Sequence, residues 1–193
     1  MLRAMAVSLG LLLVPAGNAA VAEEPPDLRG TWRLDVQRSD DARARIAEVA
    51  GPPQLMGGGA SGLTILPELN TRSEVERLEL RAWMMSVAEQ LGRLEIEQTT
   101  DEVKLYLGDD SLRIFYLTRE HVRQDGRGRK LRSSARLEGG QLFLEELGDK
   151  GLKLVEVLTP VPSVGWLIHA LRFEHSLLKQ PLNLRLVYVR EGE

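Results

Sequence analysis

The stretch Leu131–Leu158, LRSSARLEGGQLFLEELGDKGLKLVEVL, decides the fold. Leucines alternate at Leu142 and Leu144 in Gln141–Leu147, and at Leu152 and Leu154 with Leu158 in the same phase in Leu152–Thr159. A period of two is the repeat of a strand with one buried face. Glu138-Gly139-Gly140 separates the first run from the second, and Gly148-Asp149-Lys150-Gly151 separates the second from the third. Gly and Asp tolerate the left-handed backbone that tight hairpin turns need. Three strands joined by two such turns form an antiparallel meander.

The rhythm extends in both directions. Leu94 and Ile96, then Val103, Leu105 and Leu107, then Leu112, Ile114 and Tyr116 alternate with mostly polar neighbours, divided by Thr99–Glu102 and Gly108-Asp109-Asp110. Beyond Pro160, Pro162 and Gly165, strands are expected at about Trp166–Phe173 and Leu182–Arg190. One further strand, Thr31–Val36, stands near the start. The expected fold is mainly β (α+β). About eight strands form a small barrel or strongly curved sheet, with two N-terminal helices packed on it. Eight is the size at which a closed antiparallel barrel fills itself or holds one small ligand. Closure also removes the sheet edges that invite aggregation.

Two helices interrupt the strands. Ser39-Asp40-Asp41 supplies N-cap oxygens for a short helix over Ala42–Ala50. Ser73 and Glu76 have the spacing of a capping box, which predicts a helix over 74–91 stopped by Gly92. Its apolar residues fall into two stripes, Val75/Leu78/Ala82/Met85 and Leu80/Met84/Val87/Leu91. One stripe belongs on the sheet. The other belongs to the 51–70 loop, to the first helix, or to a partner such as an envelope protein. Residues 51–70 are rich in Gly and Pro and read as a flexible loop; no Gly-Lys-Ser/Thr follows Gly57-Gly58-Gly59, so it is not a phosphate-binding loop.

The ends and the totals bound the function. Arg3, the apolar run Ala4–Val14 and the small-residue site Ala20-Val21-Ala22 predict a secretory signal peptide over 1–22, cleaved after Ala22, with a single domain over 23–193. The expected location is periplasmic or secreted. The run is too short to span a bilayer, and no later segment is apolar enough to do so as a helix. With no cysteine there is no disulfide, thiolate metal site or cysteine nucleophile. A net charge of −3 does not suit a nucleic-acid binder.

"LRGTWRLDVQRSDDARARI" (28–46), followed by "VKLYLGDDSLRIFYL" (103–117) and the opening stretch, resembles a group of bacterial secreted, periplasmic proteins that begin on a Gly-x-Trp strand. That group shares a later Asp-Gly-Arg turn, here Asp125-Gly126-Arg127. More loosely the chain resembles lipocalin-like β-barrels. That resemblance implies that Trp32 plugs the barrel and that Arg185 or Arg190 covers it. Two departures stand against it: both helices precede most strands, and there is no disulfide.

No motif assigns catalysis. Ser176-Leu177-Leu178-Lys179 has the Ser-x-x-Lys spacing without its companion motifs, and Glu145 and Glu146 point to opposite faces of one strand. His169 and His175 are too far apart along one strand to share a metal. No catalytic residue, metal or cofactor is expected. The remaining feature is a basic cluster, Arg119–Lys130, read as a solvated hairpin loop or an anion contact. The functional reading is a ligand-binding barrel for a lipid or other small amphipathic molecule. Leu105, Ile114, Tyr116 and Leu144 would line it, and Arg123, Arg127 or Arg129 would meet the polar end. Rival readings are plain core packing, an envelope interaction module using the helix 74–91, and an enzyme without a short motif.

Overall fold

The computed structural model describes residues 26–50, 71–108, 111–124 and 128–192. The segment read as a signal peptide, the loop 51–70 and the Asp125-Gly126-Arg127 turn lie outside them. The elements run β1 (Gly30–Leu34), α1 (Ala42–Ala50), α2 (Thr71–Gln90), β2 (Arg93–Gln98), β3 (Glu102–Leu107), β4 (Ser111–Tyr116), β5 (His121–Gln124), β6 (Lys130–Glu138), β7 (Gln141–Leu147), β8 (Lys153–Val161), β9 (Trp166–Glu174) and β10 (Leu182–Arg190). All ten strands belong to one antiparallel sheet in the order β4-β3-β2-β1-β10-β9-β8-β7-β6-β5. The sheet curls into a nearly closed barrel whose two edge strands are β4 and β5.

The chain is therefore mainly β with two helices, as its alternation predicts. Among the described residues there are ten strands rather than about eight. Part of the difference is β5, which lies within the basic cluster read as a loop. Its four residues His121-Val122-Arg123-Gln124 have only one exposed apolar side chain, so alternation does not reveal it. Between β6 and β7 the turn is two residues long, Gly139 (φ +57°) and Gly140 (φ +70°), flanked by the pair Glu138 and Gln141. Positive φ at both central positions gives the turn the twist of its strands, and only glycine adopts it without cost.

Asp41 caps α1, its carboxylate accepting from the Ala44 amide at 3.0 Å. Ser39 and Asp40 do other work. Ser39 Oγ accepts from the Val187 amide at 2.8 Å, and Asp40 accepts from the Arg185 amide at 2.7 Å, which fastens the start of α1 to β10. In α2 the helix already includes Ser73, so Ser73 is not its N-cap. Leu80, Met84 and Leu91 are buried, whereas Val75 and Leu78 are about half exposed. The stripe carrying Leu80 and Met84 is therefore core and is not a docking surface.

Trp32 is buried on β1, opposite Leu94 on one side and Arg190 on the other. Its indole N–H donates to the Leu28 carbonyl at 3.0 Å, and the Arg190 guanidinium lies 4.9 Å from the ring centroid. Arg190 also donates to the Arg29 carbonyl at 2.9 Å. Arg185 is directed instead to the Arg38 carbonyl. If the ring rather than the cation holds this end of the barrel, Trp32→Ala should cost about 3–5 kcal/mol. Arg190→Ala should cost about 1 kcal/mol. Urea unfolding of the two variants checks the order; equal losses would refute it.

Candidate functional site

Register decides which side chains enter the barrel. Leu105 on β3 pairs with Arg113 on β4, and Val103 pairs with Phe115. Directly paired residues share a face, so Arg113 and Phe115 point in. Ile114 pairs with Lys104, and Ile114 and Tyr116 point out. This corrects the expected lining. Alternation alone allows either parity for Leu112–Tyr116, and the parity that puts Arg113 inside prevails because Arg113 finds its counter-charges there.

Those counter-charges stand on the far side of the interior. Arg113 Nη1 donates to Glu156 Oε1 at 3.1 Å, and Nη2 donates to Glu146 Oε2 at 2.9 Å and also to Glu156 Oε2. Glu146 Oε1 accepts from Arg123 Nε at 2.8 Å and from Ser133 Oγ at 3.1 Å. Glu156 Oε1 lies 2.9 Å from His169 Nε2. Arg113, Glu146, Glu156, His169 and Ser133 are all buried. Burial opposes a charge on Glu156. The Arg113 charge and the His169 hydrogen bond outweigh it and hold the carboxyl well below the usual carboxylate range. Burial likewise opposes a charge on Arg113, and the two glutamates overcome it and raise its pKa. Because Glu156 is a carboxylate, His169 must donate from Nε2, and its Nδ1 is buried without a partner. Tyr188, buried beside this cluster, donates to the Leu91 carbonyl at 3.0 Å; burial raises the pKa of its phenol.

The interior is not uniformly filled. Leu105, Leu142, Leu144, Leu158, Leu167 and Leu186 are fully buried and pack together. Between this packed part and α2 lies a cavity of about 330 Å³. Trp83, Met84, Val87, Ala88 and Leu91 form its helical side. Leu107, Leu131, Leu154, Leu171, Phe173 and Leu184 are among its sheet walls. Arg113, Arg123, Glu146 and Glu156 line its polar patch. The size is within the ordinary range of small-molecule sites, and apolar walls with a few convergent polar groups are their usual make-up.

The sequence-predicted site residues are dispersed by this geometry. Arg123 lines the cavity. Leu105 and Leu144 face the interior but belong to its packed part. Tyr116 packs edge-on against His121, with the Arg119 guanidinium 4.5 Å from its ring centroid, in the β4–β5 connection. Arg129 lies over the Trp83 ring at 5.2 Å, and Arg127 is outside the described residues. Arg113 and Glu156 are absent from the sequence-predicted candidates, and Glu146 and His169 enter there only as rejected acid–base and metal residues, although a signal for the cluster exists. Leu142-x-Leu144-x-Glu146, Leu154-x-Glu156-x-Leu158 and Leu167-x-His169-x-Leu171 each place a polar residue at an apolar-parity position. Among the described residues no three His, Asp or Glu side chains gather as metal ligands, and no helix is long and apolar enough to cross a membrane.

No family model matches the chain, and no curated protein does. Among solved structures it is similar to the REP1-NXSQ fatty acid transporter, at 16% identity and a TM-score of 0.50 over 86% of this chain and 98% of that one. It is also similar to apo lipid binding protein 8 of Caenorhabditis elegans, at 15% identity and a TM-score of 0.50 over 84% and 94%. At such identities the likeness is one of fold.

The ion cluster makes two predictions. Arg113→Met strips two buried carboxylates of their shared partner and should cost about 3–5 kcal/mol in urea unfolding. Glu156 has a lower pKa folded than unfolded, so its contribution is complete above the unfolded carboxylate range. It is lost as pH falls below about 4.3, the ordinary glutamate value. Urea midpoints of the natural protein should therefore fall more steeply from neutral pH into that acid window than those of Glu156→Gln. Parallel slopes would show that the cluster does not hold the charge.

Proposed function

We propose that the protein is a non-catalytic binding barrel for a small apolar or amphipathic molecule, lipid-like in size and polarity. The observation that carries this reading is the cavity between α2 and the sheet, with apolar walls and one polar patch. Small barrels often fill themselves with side chains. Here Leu-rich packing stops short of the helix, and a space of about 330 Å³ is left. Each methylene moved from water into such a space gains about 0.8 kcal/mol, which rewards a chain-like ligand. The barrel fold shared with a fatty acid transporter and a lipid binding protein supports the same reading.

Export to the periplasm or beyond belongs to this proposal and rests on residues 1–22. Cell fractionation with intact-mass measurement tests it, with a chain starting after Ala22 outside the cytoplasm as the expected result.

Binding is tested with Nile red, an uncharged dye that brightens in apolar surroundings. The purified protein should enhance its fluorescence, and native mass spectrometry should show a co-purifying small molecule. Ala88 lines the cavity from α2. Ala88→Trp should occupy part of the space and weaken dye binding by about tenfold, or roughly 1.4 kcal/mol. A natural protein that binds no dye and carries no small molecule would defeat the reading.

A further inference from the structure

We propose that the cavity selects electrically neutral amphipaths, such as long-chain alcohols, esters or monoacylglycerols, over the corresponding free carboxylates. This rests on the binding reading above and specifies its ligand class.

Charge at the polar patch sets the preference. Among the described residues lining the cavity, the charged ones are Arg113, Arg123, Glu146 and Glu156. Two guanidiniums face two carboxylates, and the patch sums to zero. Neither guanidinium is in reserve. Arg113 uses Nη1 and Nη2 on Glu156 and Glu146, and Arg123 uses Nε and Nη2 on Glu146, at 2.8 and 2.7 Å. An arriving carboxylate has two courses. It can lie beside two existing carboxylates in a low-dielectric site, where like charges repel strongly. Or it can displace a glutamate and leave that charge buried and unpaired, which is the costly outcome for a broken buried ion pair. A cationic head meets the same objection from the two arginines.

A neutral oxygen meets neither obstacle. A hydroxyl, ester or carbonyl oxygen adds no charge beside Glu146 and Glu156 and needs no ion pair to break. A hydroxyl can also donate to a glutamate oxygen. The neutral head keeps the four-charge balance intact while the alkyl chain takes the leucine walls.

The test uses the full chain at neutral pH with bound Nile red. Lauric acid, its methyl ester and lauryl alcohol are compared as competitors, since they differ in the head and not in the chain. The ester and the alcohol should displace the dye with affinities at least about tenfold tighter than the acid. If the dye binds but none of the three displaces it, or the acid competes as well as its ester, the neutral preference is overturned and the binding reading stands. If the dye does not bind at all, both fall.

Glu146→Gln and Glu156→Gln each remove one negative charge from the patch. In a variant whose circular dichroism and melting show a folded protein, the acid should gain and the ester-to-acid ratio should fall by about tenfold. An unchanged ratio in a folded variant overturns the proposal. If neither variant folds, the comparison of head groups on the natural protein decides the matter.

Discussion

Arg113 and Arg123, from the two edge strands of the sheet, meet on Glu146. The sheet begins at β4 and ends at β5, and these edge strands do not pair with each other in the ladder. A barrel closed by backbone hydrogen bonds would have no edges to protect. Arg113 projects from one edge and Arg123 from the other, and both donate to the same carboxylate on β7. Glu156 on β8 takes the rest of Arg113. Side chains bridge the seam where no ladder of N–H···O bonds does: the ion cluster inside the barrel and the Tyr116–His121 ring contact between the two edge strands.

Such a clasp has consequences for packing. Four charges in an interior cost desolvation energy, and leucines of similar volume would often stabilise as well or better. Leucines, however, would fill the space between the seam and α2. Long, branched, hydrogen-bonded side chains cannot collapse on one another as an aliphatic core does, and they stand around a hollow. The same cluster therefore ties the edges together and keeps part of the barrel open. Packing is tighter around Leu142, Leu158 and Leu186, which are fully buried, with His169 paired to both Leu158 and Leu186 and buried among them.

Most of the architecture was legible because it depends on periodicity and turns. The hairpin through Gly139-Gly140 and the helix capped by Asp41 follow from local chemistry, and the structure contains both. The strand β5 was not legible, since four residues in a charged segment are strands only because Ser133 and Leu131 on β6 pair with them. The parity of β4 was not legible for a related reason. In Ser111–Tyr116, apolar residues occupy both faces, so hydrophobicity does not choose between them. The choice is made by Glu146 and Glu156, more than thirty residues further on. A reading that treats polar residues at apolar-parity positions as partners awaiting each other would have found Arg113. A reading that seeks only aliphatic stripes assigns Ile114 and Tyr116 to the inside.

The clasp and the cavity cannot be varied independently. Arg113, Arg123, Glu146 and Glu156 line the hollow and also hold the seam, so any molecule that reaches the polar patch touches the groups that keep the barrel shut. A ligand bound only by the closed form stabilises that form in proportion to its concentration over its dissociation constant. One that competed for the guanidiniums would gain its contacts by loosening the edges, and part of its binding energy would go into opening the fold. Ligand chemistry and barrel integrity are thus coupled through four side chains. Charge neutrality of the guest is the condition under which filling the cavity and keeping the seam closed act in the same direction.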